Sequence, residues 1–128
     1  MELGSKQYGG FRDLKVYQLS YQLALEIFEI TKKFPKEELY SLTDQIRRSS
    51  RSVPSNIAEA WRKRKYPKSF ISKLIDSLAE ESETEVSLDF SKDLSYISKE
   101  KHLYFIEKYD EVARMLTSMI NKPDKFCH

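Results

Sequence analysis

One run of residues limits the fold more than any other. Leu42, Ile46, Ser49, Val53, Ile57 and Ala60 recur at steps of four, three, four, four and three. That spacing keeps one face of a helix about five turns long in phase, and a strand, with its period of two, cannot carry it. Pro54 falls inside the pattern without shifting its phase, so the reading is one helix with a proline kink where the Ser50 carbonyl loses its partner. The same stretch turns cationic toward its end. Arg47, Arg48, Arg51, Arg62, Lys63, Arg64, Lys65 and Lys68 are opposed by the single acid Glu59. On a helical wheel Arg47, Arg48, Arg51, Arg62 and Lys65 share an arc away from the apolar stripe. The stretch has a buried side and a basic side.

The remaining chain repeats the helical period. Val16, Leu19, Leu23, Ile27 and Ile30 form one stripe over Arg12 to Lys33, and Tyr17, Tyr21, Ala24 and Phe28 form a second. Together they span about 200°, roughly twice the ~100° needed to face one core. The helix is therefore either deeply embedded or packed on another subunit. In so short a chain the second is favoured, which makes Tyr17, Tyr21 and Phe28 candidate oligomer contacts. Phe34-Pro35 stops this helix, and Pro35 can open the next, which runs to about Arg64. Tyr66-Pro67 is the next break. A third helix opens at Lys68 or Ser69 and continues to about Lys92, with Phe70, Ile71, Leu74, Ile75, Leu78, Ser82 and Val86 on one side. After a connector at residues 94–98, with Ser98 as N-cap, a fourth helix from Lys99 to about Asn121 places Phe105, Tyr109, Val112, Leu116 and Met119 in phase. Lys122-Pro123 ends it.

Four helices joined by short links predict an all-α, up-down-up-down four-helix bundle over residues 11–121. Residues 1–10 read as a disordered lead and 122–128 as a frayed tail. At 128 residues the chain makes one domain able to bury roughly two thirds of its unfolded surface. Three glycines and four prolines are too few for the turns of an all-β fold. No apolar run is long enough to span a membrane, and no secretory signal opens the chain. A single cysteine, Cys127, supplies no disulfide framework, which suits a reducing cytoplasm.

The charges are segregated. Asp76, Glu80, Glu81, Glu83, Glu85 and Asp89 form an acidic block with no base among them. If the second and third helices fold back near Lys65-Tyr66, Arg51 comes level with Glu80 and Arg48 with Glu83. The bland reading of Arg47, Arg48 and Arg51 is neutralisation by this block, within or between subunits. Arg62, Lys63, Arg64, Lys65 and Lys68 sit at the turn with no acid level with them. One or two cations there would suit the helix dipole, and five in seven positions exceed that need.

No catalytic residue or cofactor site is read from the sequence. A lone helical histidine, His102, is ordinarily a surface or core residue. Cys127-His128 cannot make a four-ligand metal site alone. A di-metal carboxylate bundle needs Glu-x-x-His pairs, and Lys99 stands where the glutamate before His102 would be. Asn56 and Glu59, one turn apart, form an inward-leaning polar pair expected to bond across helices.

The segments Phe11-Arg12-Asp13-Leu14-Lys15-Val16-Tyr17 and Thr31-Lys32-Lys33-Phe34-Pro35 resemble the opening of small bacterial four-helix-bundle proteins encoded in intervening sequences of large-subunit ribosomal RNA genes. Leu42 to Ser49 and Val53 to Glu59 resemble that family's central signature, and Leu94-Ser95-Tyr96-Ile97 its Leu-Gly-Tyr-Ile connector. Two usual glycines are replaced by Ala60 and Ser95. The resemblance implies a ring-shaped homo-oligomer, commonly a pentamer, with a basic surface. Similar bundles act as retroelement accessory factors that bind nucleic acid and a reverse transcriptase.

Two functions are then expected of such a chain. The first is a non-enzymatic oligomer that contacts RNA or DNA phosphates without sequence preference, using Arg62, Lys63, Arg64, Lys65 and Lys68 with Arg47, Arg48 and Arg51. Trp61 and Tyr66 lie near this tip and could stack on a base, but packing on the bundle is the more ordinary use of each. The second is a scaffold whose basic cluster docks an acidic protein.

Overall fold

The anchor stripe is buried along its whole length in a computed structural model that describes residues 9–127. The expected lead at residues 1–10 lies outside the described residues except for Gly9 and Gly10. Four helices form: α1 (Lys15–Thr31), α2 (Leu42–Arg62), α3 (Pro67–Asp93) and α4 (Lys99–Asn121). Each packs on the next and α4 closes on α1, with α2 against α3 the most extensive contact. Pairs such as Ser49 with Thr84, Val53 with Ser77 and Glu26 with Tyr104 fix the antiparallel, up-down course. Phe70, Phe105, Leu74 and Leu116 are fully enclosed at the centre.

α2 runs unbroken through Pro54, and α4 has the expected bounds, with Ser98 Oγ accepting the Lys101 N–H at 3.0 Å. α1 is shorter than its apolar pattern. Leu14 is extended and buried, and separates a 3-10 turn at Phe11–Asp13 from the helix. α2 starts at Leu42 instead of Pro35, after a 3-10 turn at Lys36–Glu38. Glu38 supplies the reason: its carboxylate accepts the Ser41 hydroxyl at 2.7 Å and the Leu42 N–H at 3.3 Å, capping the helix from outside. Those bonds, together with one from the Tyr96 hydroxyl, hold the Glu38 carboxyl below its ordinary pKa.

α3 departs most from the sequence reading. Ile75 and Val86 are half exposed and Ser82 is exposed, whereas Ser77, Glu81, Thr84, Ser87 and Ser91 are buried. Small hydroxyl residues face α2 here. The Ser77 hydroxyl donates to the Val53 carbonyl and Thr84 Oγ1 to Ser49 Oγ, both at 2.8 Å. Residues of this size let two backbones approach closely while their polar atoms stay bonded.

α3 ends in a Schellman motif. The Tyr96 N–H donates to the Ser91 carbonyl (2.8 Å) and the Ser95 N–H to the Lys92 carbonyl (2.9 Å). Ser95 takes φ 65°, the left-handed conformation a glycine would occupy without strain. Ser95→Gly is therefore expected to raise stability by about 0.5–1 kcal/mol in urea or thermal unfolding, with relief of strain outweighing the added freedom of the unfolded chain. The tail expected to fray turns back instead. A 3-10 turn at Pro123–Lys125 places Phe126 about 6.1 Å, ring to ring, from both Trp61 and Phe70.

Candidate nucleic-acid interface

Up-down connectivity gathers four chain segments at one end of the bundle: the start of α1, the end of α2, the start of α3 and the residues after α4. Trp61, Phe70 and Phe126 pack together beneath this end and give it a rigid floor. On that floor stand Arg62, Lys63, Lys65 and Lys68, all exposed. Two further segments add cations the sequence reading left out. Arg12 lies over the Phe11 ring at 4.6 Å and Arg62 reaches the same ring at 5.6 Å, so both crowd one spot. Lys125 is brought in by the docked tail. Among the described residues none of these six forms an ion pair. The acids in these segments are Asp13 and Asp124. At the opposite end Lys32 pairs with Glu29 (3.3 Å) and Lys92 with Asp93 (3.7 Å), and Lys33, Lys36, Lys99 and Lys101, though without an ion pair among the described residues, are interspersed with Glu37, Glu38 and Glu100.

Arg64, a candidate contact, is used internally. Its guanidinium lies 3.9 Å from the Trp61 ring centroid and its Nε–H donates to the Trp61 carbonyl at 2.9 Å. Trp61 is buried, whereas Tyr66 is 61% exposed. Packing on the bundle thus describes Trp61 and does not describe Tyr66.

The three central arginines part company. Arg47 turns to α1, where its Nε–H donates to Thr31 Oγ1 at 2.7 Å and its guanidinium lies 4.5 Å from the Phe28 ring centroid. Arg48 is exposed and pairs with Asp44 of its own helix at 3.8 Å. Arg51 is exposed and lies 5.8 Å from the Phe28 ring. Arg48 and Arg51 do line one surface groove with Glu80 and Glu83, at the expected level, yet no ion pair joins the two sets within the chain. Burial, then Glu83 and Asp76, push the Glu80 carboxyl above its ordinary pKa, and Arg48 offsets this only in part. Inside one chain the acidic block thus forms no close ion pair with these arginines, and only Arg48 acts on it, through space on Glu80.

Asn56 and Glu59 do not act as an inward pair. Asn56 bonds the Ser52 carbonyl of its own helix, and exposed Glu59 crosses to Lys73 of α3 at 3.0 Å. Tyr17 is half-buried against Phe11 and Tyr21, and Phe28 sits under the arginines. Tyr21, Leu25, Phe28, Arg51 and Pro54 line an apolar groove between α1 and α2. The outer face of α3 exposes Ile75, Val86 and Phe90 in addition. His102 Nε2 lies 2.8 Å from Asp89 Oδ1. Among the described residues no cluster of His, Cys, Asp and Glu could hold a metal ion, and no helix is long and apolar enough to cross a membrane.

The sequence reading missed one buried acid. Glu81 is 2% exposed and its carboxyl is pushed up to about 9, first by burial, then by Glu85 and Asp110. Glu81 Oε2 and the enclosed Tyr109 hydroxyl lack hydrogen-bond partners among the described residues. The signal was positional: Glu81 keeps phase with Leu74, Ser77, Thr84 and Leu88.

The chain resembles known proteins over nearly this whole bundle. The family model described as 23S rRNA-intervening sequence protein matches residues 12–118. No curated protein matches. A crystal structure from Bacteroides thetaiotaomicron, of a protein with unknown function from the S23 ribosomal protein family, superposes with a TM-score of 0.72 at 28% identity. The match covers 82% of this chain and 97% of that one.

Proposed function

This chain belongs to the 23S rRNA-intervening sequence protein family, and on that premise we propose that it is a non-enzymatic, oligomeric accessory protein that holds RNA or DNA by the phosphates. The observation that carries the reading is the unmatched basic end of the bundle, where Arg12, Arg62, Lys63, Lys65, Lys68 and Lys125 converge without an ion pair among the described residues. Cations that serve only solubility are spread among acids, as they are at the other end. A cluster held on a packed aromatic floor is suited to a polyanion, whose release of counterions drives binding. Backbone contacts of this kind position a nucleic acid without reading its sequence.

Self-association is the second part of the proposal. The α1–α2 groove and the Ile75, Val86 and Phe90 face leave apolar surface uncovered. A second copy of the chain would bury it, and a ring would repeat the basic end so that weak contacts act together. A protein partner, such as a reverse transcriptase or an acidic protein, is the competing occupant of these surfaces.

The test is titration of labelled RNA and duplex DNA at several salt concentrations, with mass from light scattering. The expected result is a mass above the 15.2 kDa monomer and an affinity that falls steeply with salt. No binding at low salt would return the basic end to solubility and leave a protein-binding scaffold.

A further inference from the structure

We infer that Tyr66 is a base-stacking platform that makes the basic end a site for single-stranded nucleic acid in preference to duplex; this rests on the phosphate-binding reading above. Of the other aromatic residues at this end, Trp61, Phe70 and Phe126 pack into the bundle, and Phe11 lies against Tyr17 with Arg12 and Arg62 over its ring. Tyr66 faces outward at 61% exposure, with the Lys65 ammonium 6.0 Å from its ring centroid. Its backbone is fixed from both sides. The Tyr66 N–H donates to the Lys63 carbonyl and its own carbonyl accepts the Phe70 N–H, each at 2.9 Å, while Pro67 locks the next residue as the first of α3. The ring is presented by a tight turn and not by a loose loop.

Cations flank it in the chain at Lys63, Lys65 and Lys68, all exposed and unpaired among the described residues. A flat ring between unpaired cations is the arrangement that takes a base on its face and the adjoining phosphates on either side. A duplex cannot use it, because its base faces are already stacked on one another and only their edges are reachable. An unpaired nucleotide can. Sequence tolerance follows, since every base has a stacking face. Tyr40 provides an internal control: it is 91% exposed but stands at the other end of α2, beside Glu37 and Glu38.

The experiment compares oligo(U) and oligo(dT) with RNA and DNA duplexes of equal phosphate number, using the full chain at one salt concentration. The single strands are expected to bind more tightly. Tyr66→Ala should weaken single-strand binding about 5- to 100-fold and duplex binding less than about twofold. Tyr66→Phe, which keeps the ring, and Tyr40→Ala should both bind as the parent does. Equal loss on strands and duplexes, or no loss on either, would overturn the stacking role while phosphate binding stands. If the parent chain binds neither strand nor duplex, the phosphate-binding reading fails first and this inference with it.

Discussion

Replacing Glu81 with glutamine is expected to stabilise the protein by about 1–3 kcal/mol at pH 8 and to flatten its stability between about pH 5 and pH 9. Glu81 lies in the core, and burial followed by Glu85 and Asp110 raises its carboxyl from 4.5 to about 9. Across that window the folded chain keeps a proton that the unfolded chain has released. The sign follows from linkage. The stability associated with a raised pKa is complete below the unfolded value of 4.5 and is lost as pH rises through the folded value, by up to ~1.4 kcal/mol per pH unit. Glutamine is nearly the same shape, can still donate to Glu85, and has no proton to lose. The full span of the shift would give a larger figure, and relaxation around an ionised Glu81 reduces it. Urea unfolding of parent and Glu81→Gln at a series of pH values between 5 and 9 measures the difference. Parallel curves would mean that Glu81 is not the group whose proton couples to folding. Tyr109, whose buried hydroxyl is also pushed up, ionises too far above this range to contribute.

Glu81 also marks where the sequence stopped being legible. α2 and α4 could be read because their buried faces are apolar, so hydropathy and position agree at Ile46, Val53, Ile57, Phe105, Val112 and Leu116. On α3 they disagree. The face toward α2 is chosen for small size, with Ser77, Thr84 and Ser91 bonding as they pack, and Ile75, Val86 and Phe90 are left outside. A pattern search that rewards apolar residues turns such a helix the wrong way. Side chains that reach across the chain were equally hidden. Nothing local announces that Glu38 caps α2, that Arg47 reaches back to Thr31, or that Phe126 returns to Trp61. The position of the basic tip, by contrast, followed from where two helices had to turn. Its extension to Arg12 and Lys125 required knowing that four segments end together.

That distinction between cations which hold the bundle and cations left at its end leads to the largest effect expected on binding. Changing Arg62, Lys63 and Lys65 together to alanine should lower affinity for RNA and DNA on the order of a hundredfold at physiological salt and flatten the salt dependence by about three slope units. Stability should move by no more than about 0.5 kcal/mol, because these side chains are exposed and form no ion pair among the described residues. Arg47→Ala removes one positive charge from within α2 with the opposite outcome. It loses the 2.7 Å bond to Thr31 and the contact with Phe28, and should cost about 1–2 kcal/mol of stability with the slope unchanged. Salt titrations and urea unfolding on both variants separate the roles. A triple variant that keeps its affinity and slope would remove the basic end from nucleic-acid binding. An Arg47→Ala variant that keeps its stability but loses slope would mean that Arg47 leaves Phe28 to reach phosphate.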